Sequence, residues 1–178
     1  MFGRSVGAIA VVAVAITTLA ACAGSSKPKT DSGAGSGAVT FAGLTVANPT
    51  DTAHKPQVTG SSSDTPAKLE YKDLVVGTGA AATPTSTVTV QYDGLVYPTG
   101  KQFQASWDGN GAIPFSLQQV VPGFTQGIGG TTDVPPMKAG GRRILVLPAA
   151  LGYPQGQADA GIPPNTPIVF IVDLIKVG

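Results

Sequence analysis

The chain has 178 residues, enough for one ordinary domain with an appendage and too few for two full domains. Charged residues make up 12% of it, whereas 24 Gly and 15 Pro indicate frequent turns, so a strand-rich fold is favoured over long solvated helices. The formal net charge of +1 gives no electrostatic reason to expect nucleic acid as a partner, and a single cysteine excludes an intrachain disulfide and a multi-cysteine zinc site.

The first 21 residues have the features of a secretory signal peptide. Arg4 precedes an apolar run over residues 6–16, which is short for a bilayer span but suits the apolar region of an export signal. Removal of this segment takes away one of the 11 Lys and Arg residues, which then balance the 10 acidic residues. The mature chain is therefore expected to start near residue 22 with no net charge.

The apolar run ends in the sequence Leu-Ala-Ala-Cys at residues 19–22, which resembles the lipobox of bacterial lipoproteins. The resemblance implies cleavage before Cys22 and a diacylglyceryl group on its thiol. Two or more acyl chains on one residue give stable anchoring, so we expect a protein held on the extracytoplasmic side of a bacterial cell membrane. The alternative is an ordinary signal peptide that is followed by a chance cysteine.

Residues 22–64 are expected to form a lipid-anchored flexible linker. Residues 23–38 are mostly Gly, Ser, Lys, Thr and Asp, which offer little to a core. Residues 39–41 and 57–59 could each add an edge strand, although prolines interrupt this stretch. The folded domain is therefore placed at residues 65–178.

His54, the only histidine, lies in the irregular part of this linker next to Lys55-Pro56. We interpret it as a solvated loop residue, because metal binding needs further ligands and catalysis needs a positioned partner. No metal site and no cofactor are expected.

Apolar periodicity predicts three strands and one helix in the domain. Residues 87–92 alternate as a half-buried strand does, and residues 143–147 and 168–177 are apolar runs of strand length. Residues 122–128 suit a short helix, because a proline occupies the first position and two apolar residues are spaced i, i+4. The expected class is α+β, a curved antiparallel β-sheet wrapped around one short α-helix.

Short motifs follow one another along this domain in a set order. They are Val90-Gln91-Tyr92-Asp93-Gly94, Gly100-Lys101-Gln102-Phe103, Ile113-Pro114-Phe115-Ser116-Leu117, Val120-Val121-Pro122-Gly123-Phe124, Met137-Lys138-Ala139-Gly140-Gly141, Leu147-Pro148-Ala149-Ala150-Leu151-Gly152-Tyr153, Gly161-Ile162-Pro163-Pro164-Asn165 and Ile168-Val169-Phe170. As an ordered set they resemble the FKBP family of peptidyl-prolyl cis/trans isomerases.

The resemblance implies an apolar pocket for proline in polypeptide clients, whose folding after export the enzyme would assist. Tyr153 is implied as a hydrogen-bonding residue and Gln104 as a possible polar contact. Macrolide ligands of the family are possible further partners. The residues implied to form the pocket are Tyr92, Phe103, Phe115, Val121, Phe124, Ile162 and Phe170.

Three departures from the family pattern bear on activity. Gln104 stands where the family usually has aspartate, Phe124 stands where it usually has tryptophan, and residues 129–136 look like an insertion. Gln104 lacks a charge but its amide can still hydrogen-bond, and Phe124 lacks the indole N–H. Two alternatives therefore remain: an FKBP-like binding module with little turnover, which grips proline-containing or hydrophobic segments, and a structural surface lipoprotein.

Overall fold

The computed structural model describes residues 37–178. The predicted signal peptide, Cys22 and the predicted linker up to residue 36 lie outside the described residues. The described part contains two antiparallel β-sheets and one α-helix. Its elements are β1 (Val39–Phe41), β2 (Leu44–Ala47), β3 (Gln57–Gly60), β4 (Glu70–Val75), β5 (Thr87–Val96), β6 (Lys101–Ala105), β7 (Ile113–Ser116), α1 (Pro122–Gly129), β8 (Gly141–Leu147) and β9 (Ile168–Val177).

The larger sheet gives the fold its class. Its strand order is β4-β8-β9-β5-β6, and every pairing is antiparallel. β5 is long enough to pair with β7 along its first half and with β6 along its second half. The α+β class predicted from the sequence, one short helix against an antiparallel sheet, is confirmed.

The inner face of the larger sheet carries α1. Gly123 and Gly127 lie one turn apart and face β8. A Cβ atom at Gly123 would lie 2.4 Å from Leu147 Cδ2, and one at Gly127 would lie 2.6 Å from Leu145 Cδ1. The predicted helix is therefore present, and its glycines allow it to approach the sheet closely.

The outer face carries the smaller sheet, in the order β1-β2-β3. Leu44 and Val46 of β2 are buried there in an apolar cluster with residues of the larger sheet. The buried partners in this cluster are Leu95, Tyr97, Ile144, Val146, Val169 and Ile171. Residues 39–41 and 57–60 thus form the edge strands that the sequence allowed within the linker, whereas β2 was not foreseen, because a strand of four residues with alternate burial carries too short a pattern to be recognised.

A buried ion pair ties the loop after β2 to the larger sheet. Arg142 of β8 pairs with Asp173 of β9 through bonds of 2.5 and 2.6 Å. The same guanidinium donates to the carbonyl oxygens of Asp51 at 2.8 Å and His54 at 3.0 Å. A buried charge is costly unless it is fully paired, and movement of the loop would break two of these four bonds. The loop is therefore held in one position.

The next residue of β8, Arg143, makes the equivalent tie on the inner face. It pairs with Asp73 of β4 at 2.6 Å and donates to the carbonyl oxygens of Gly127 and Pro135 at 2.8 and 2.7 Å. Its guanidinium also lies 4.7 Å from the centroid of the Tyr71 ring. The loop after α1, predicted as an insertion, is therefore anchored to the sheet.

A variant that begins at residue 65 should be much less stable than one that begins at residue 37. Loss of the smaller sheet uncovers the outer face of β8 and β9, and each large aliphatic side chain exposed costs about 1.5–3 kcal/mol. Urea unfolding of the two variants measures this. We expect the shorter variant to unfold at a lower urea concentration, with an unfolding free energy that is smaller by several kcal/mol. Equal midpoints would show that the smaller sheet adds no stability.

Candidate active site

A cleft of about 530 Å³ opens on the inner face of the larger sheet, beside α1. Side chains from β5, β6, β7, α1 and β9 line it, together with residues of the connecting loops. The lining residues are Tyr92, Gln104, Ile113, Phe115, Gln119, Val120, Val121, Phe124, Tyr153 and Phe170.

Seven of the nine residues implied by the sequence resemblance line this cleft. The other two, Phe103 and Ile162, do not line it, although both pack in the same apolar core. Three lining residues were not identified from the sequence. Ile113 and Val120 stand within motifs that were recognised, whereas Gln119 is a polar turn residue that gave no signal.

Four of the aromatic rings that line the cleft pack against one another. Phe124 and Phe170 lie at the centre, with ring centroids 5.2 Å apart and planes at 78°. Tyr92 packs against both, at 6.3 and 6.0 Å, and Phe115 adds an edge contact to Phe124 at 6.2 Å. Edge-to-face packing of this kind holds each ring by its neighbours, so the cleft is preformed and rigid.

Phe103 supports the cleft from behind, and Gly94 makes room for it. On β5, Gly94 pairs with Gln104 and the following residue pairs with Gln102, so Phe103 is the extra residue of a β-bulge. Its ring contacts Phe170 edge to face at 5.7 Å. A Cβ atom at Gly94 would lie 2.8 Å from the Phe103 ring and 3.0 Å from the Phe170 ring, so a side chain there would displace both.

The start of α1 fixes the far wall of the cleft. Val121 is the residue before the helix, and Phe124 lies in its first turn. Thr125 donates from its hydroxyl to the Leu117 carbonyl oxygen at 2.5 Å, which joins the first turn to the end of β7. Phe124 is 4% exposed, so its ring forms a buried floor.

The lining of the cleft contains no Asp, Glu, Lys, Arg or His within the described residues 37–178. Burial raises the pKa of the Tyr153 phenol, and burial together with the neighbouring Tyr153 raises the pKa of Tyr92. Both phenols therefore stay protonated at neutral pH and can donate a hydrogen bond. Gln104 and Gln119 supply the amide groups of the cleft.

A second depression, of about 670 Å³, is larger than the cleft. It lies between β4, α1 and the loop after α1, and Lys68, Glu70 and Asp133 are among the residues that line it. Its lining is partly charged, and its only aromatic residues within the described part of the chain are Phe41 and Tyr71, whereas five aromatic residues line the cleft. Volume alone does not identify the site, and the concentration of aromatic rings selects the smaller cleft.

His54 lies away from the cleft, as expected of a loop residue. Its side chain is 80% exposed, and its Nδ1 lies 2.9 Å from Asp51 Oδ2. Among residues 37–178 no group of three or more His, Cys, Asp and Glu side chains is arranged to hold a metal ion. Trp107 lies in a 3₁₀ turn after β6 and does not line the cleft.

Asp93 is a buried carboxyl that follows Tyr92 in β5. Successive side chains of a strand point to opposite faces, so Asp93 points away from the cleft, towards the smaller sheet. It is 3% exposed, and its Oδ1 has no hydrogen-bond partner. Burial raises the pKa of Asp93 to about 6, although the nearby Lys55 charge opposes this shift.

Asp93→Asn should stabilise the protein at pH 7 and not at pH 3.5. The folded chain binds the Asp93 proton more tightly than the unfolded chain, so ionisation lowers stability as pH rises from about 4 to 6. A shift from 3.8 to about 6 corresponds to at most about 3 kcal/mol above pH 6. Urea unfolding of both proteins at pH 3.5 and 7 measures this difference, and a variant that is less stable at pH 7 would contradict it.

The comparisons with known proteins agree with this geometry. The family model of the FKBP-type peptidyl-prolyl cis-trans isomerase matches residues 79–175. The chain is 39% identical over 126 residues to the FK506-binding protein of Streptomyces anulatus, covering 69% of this chain and 97% of that protein. It is 38% identical to the probable FK506-binding protein of Corynebacterium glutamicum, covering 68% of this chain and 98% of that one.

Solved structures show the same likeness. The crystal structure of AtFKBP13 superposes with a TM-score of 0.58 at 32% identity, covering 65% of this chain and 98% of that chain. FkpA from Escherichia coli gives a TM-score of 0.52 at 37% identity, covering 61% of this chain and 47% of that chain. The fold and the aromatic cleft define an enzyme of the prolyl isomerase class. The chain belongs to the FKBP-type peptidyl-prolyl cis-trans isomerase family.

Proposed function

We propose that the cleft binds the proline of a polypeptide and isomerises the bond that precedes it, and that its clients are exported proteins at the outer side of a bacterial cell membrane. The observation that carries the first part is the preformed aromatic cleft with no charged residue in its lining. Membership of the isomerase family supports the same activity.

Such a cleft suits the chemistry of a prolyl bond. Isomerisation breaks no covalent bond and has only to cross a barrier of about 18–20 kcal/mol that comes from amide resonance. The planar amide is charge-separated, whereas the twisted amide of the transition state is less so. An apolar lining therefore favours the twisted form over the planar one, and lowering the barrier by about 6 kcal/mol would accelerate the reaction about 10⁴-fold.

The lining residues divide into two roles. The Phe124 and Phe170 rings form the floor and wall that take the apolar proline ring. Tyr153 and Gln104 provide polar groups that hold the peptide backbone next to it. Holding the chain on one side of the twisted bond keeps it near the transition-state geometry.

A binding module with little turnover is the second candidate, and two lining residues favour it. Gln104 supplies no negative charge to the cleft, and Phe124 supplies neither an indole N–H nor the larger ring. Such a module would still bind proline-containing segments. Two relatives are named FK506-binding proteins, and from them we propose that macrolide ligands occupy the same cleft.

Tyr153→Phe is the cleanest test of the cleft. The substitution keeps the ring and deletes one hydroxyl, so stability should change little while kcat/KM for a proline-containing peptide falls. The loss of one hydrogen bond of about 1–1.5 kcal/mol limits the decrease to about tenfold. A coupled isomerisation assay measures it, with the thermal unfolding temperature as the control for folding.

Phe170→Ala and the pair Phe124→Trp with Gln104→Asp complete this test. Truncation of Phe170 should lower both peptide binding and stability, because a buried Phe typically contributes about 3–5 kcal/mol.

The paired substitution Phe124→Trp with Gln104→Asp should raise turnover if Phe124 and Gln104 limit it. Unchanged isomerisation in folded Tyr153→Phe and Phe170→Ala variants would exclude this cleft, and tight peptide binding without turnover in the unmodified chain would favour the binding module.

The location is proposed from residues that lie outside the described part of the chain. The lipobox-like sequence places Cys22 where a lipid is attached, after a short apolar segment. Among residues 37–178 no helix combines the length and apolar character that crossing a bilayer requires. We infer from the lipobox-like sequence that a lipid on Cys22 tethers the isomerase to the membrane and leaves its cleft open to exported chains.

Expression of the full chain in a bacterium with lipoprotein processing should place it in the membrane fraction. Cys22→Ser should release the protein or leave it unprocessed, because the thiol that accepts the lipid is gone. Fractionation and intact mass measurement of both proteins test this. A mature protein with an unmodified Cys22 thiol would contradict the proposed lipid anchor. The proposed isomerase activity does not depend on this result.

A further inference from the structure

The ammonium group of Lys55, in the loop before β3, bonds to both ends of residues 102–108, a segment that contributes a lining residue to the cleft. Lys55 Nζ donates to Gln102 Oε1 at 2.6 Å and to Asp108 Oδ1 at 2.7 Å. Gln102 Nε2 in turn donates to Asp108 Oδ2 at 2.5 Å. The three side chains form a closed ring of hydrogen bonds, although Lys55 is far from the other two in sequence.

The segment enclosed by these bonds, residues 102–108, contains Phe103 and Gln104. Gln104 lines the cleft, and Phe103 supports the Phe170 ring from the β-bulge described above. A bulge interrupts the regular ladder, so the two side chains depend on other contacts to hold their direction. Lys55 supplies such a contact at each end of the segment.

The middle of the segment is attached to β5. The Tyr92 amide donates to Ser106 Oγ at 2.8 Å, and Ser106 Oγ donates to Gln91 Oε1 at 2.5 Å. A change in the position of Ser106 would therefore reach Tyr92, another lining residue.

Lys55 can act as a fixed point because its own loop is anchored. The carbonyl oxygen of the preceding residue, His54, accepts a bond from Arg142 at 3.0 Å, and Arg142 is paired with Asp173 in the centre of the larger sheet. The chain of contacts runs from β9 through Arg142 and the loop to Lys55, and from there to the edge of the cleft.

Contribution to folding stability is a weak explanation for this contact. The Lys55 side chain is 28% exposed and that of Asp108 is 53% exposed. Ion pairs at such positions typically contribute about 0–1 kcal/mol and are screened by salt. The hydrogen bond from Lys55 is the main reason that the pKa of Asp108 is lowered, which shows that the carboxylate is the form held there.

We propose that Lys55 is a positioning residue of the isomerase: it holds residues 102–108 so that Gln104 and Phe103 keep the direction that the cleft needs. The inference rests on the proposed function, because it takes the aromatic cleft as the isomerase site. The two side-chain hydrogen bonds of Lys55 go to Gln102 and Asp108, which do not line the cleft, so Lys55 acts through them.

Lys55→Met in the full chain tests the proposal, with Lys72→Met as the matched control. Lys72 is an exposed lysine of β4, on a strand that does not contribute to the cleft. Lys55→Met should lower kcat/KM for a proline-containing peptide about two- to fivefold, whereas Lys72→Met should leave it unchanged. Activity is compared well below the unfolding temperature of each variant, because loss of the Lys55 charge also disfavours the buried Asp93 carboxylate. Lys55→Arg should keep most of the activity, since its guanidinium can still donate to both partners.

Two further measurements separate positioning from a general effect. Asp108→Ala should lower kcat/KM to a similar extent, and the double variant with Lys55→Met should lose no more than either single variant, because both act through one contact. Amide hydrogen exchange should rise within residues 102–108 in Lys55→Met and stay unchanged in α1.

Each result bears on one of the two proposals. Full activity of Lys55→Met, additive losses in the double variant, or an equal loss in Lys72→Met would overturn the role of Lys55. If Tyr153→Phe lowers the activity and Lys55→Met does not, the cleft remains the site and only the positioning role fails. If neither variant affects isomerisation, the assignment of the cleft fails as well.

Discussion

The structure depends on the burial of β8 and β9 on both faces. All seven residues of β8 and the first seven of β9 are buried, so each face of the sheet needs its own cover. On the inner face α1 and the aromatic rings supply it, and on the outer face the smaller sheet does. The cleft is the part of the inner face that α1 leaves open. Phe170 of β9 belongs both to this buried core and to the lining of the cleft.

Two consecutive arginines stabilise these two covers. Because strand neighbours point to opposite faces, Arg142 bonds the loop carbonyl oxygens on the outer side, while Arg143 bonds the end of α1 and the following loop on the inner side. Each has a carboxylate partner, Asp173 or Asp73, which offsets the cost of burying the charge. The buried charged side chains thus connect the loops and α1 to the larger sheet, whereas the lining of the cleft contains no charged side chain from residues 37–178.

A cleft without charged groups fits a reaction that transfers no proton and forms no covalent intermediate. What such a site can supply is shape, an apolar surface and a few hydrogen bonds, all held in advance. The edge-to-face rings of Phe124, Phe170 and Tyr92 supply the first two. Their rigidity depends on backbone features outside the cleft, above all Gly94 and the bulge at Phe103.

The sequence by itself determined the class of fold, the helix, the three long strands and seven of the ten lining residues, because these rest on apolar periodicity and on ordered motifs. The tertiary structure decided what depends on contacts between distant residues. Strand β2 is too short to show a period in the sequence, and only the burial of Leu44 and Val46 against the larger sheet defines it. Phe103 and Ile162, implied as pocket residues by the resemblance, pack in the apolar core together with the lining residues. The bonds that tie Lys55 to residues 102–108 follow from the packing of the two sheets, which no local pattern encodes.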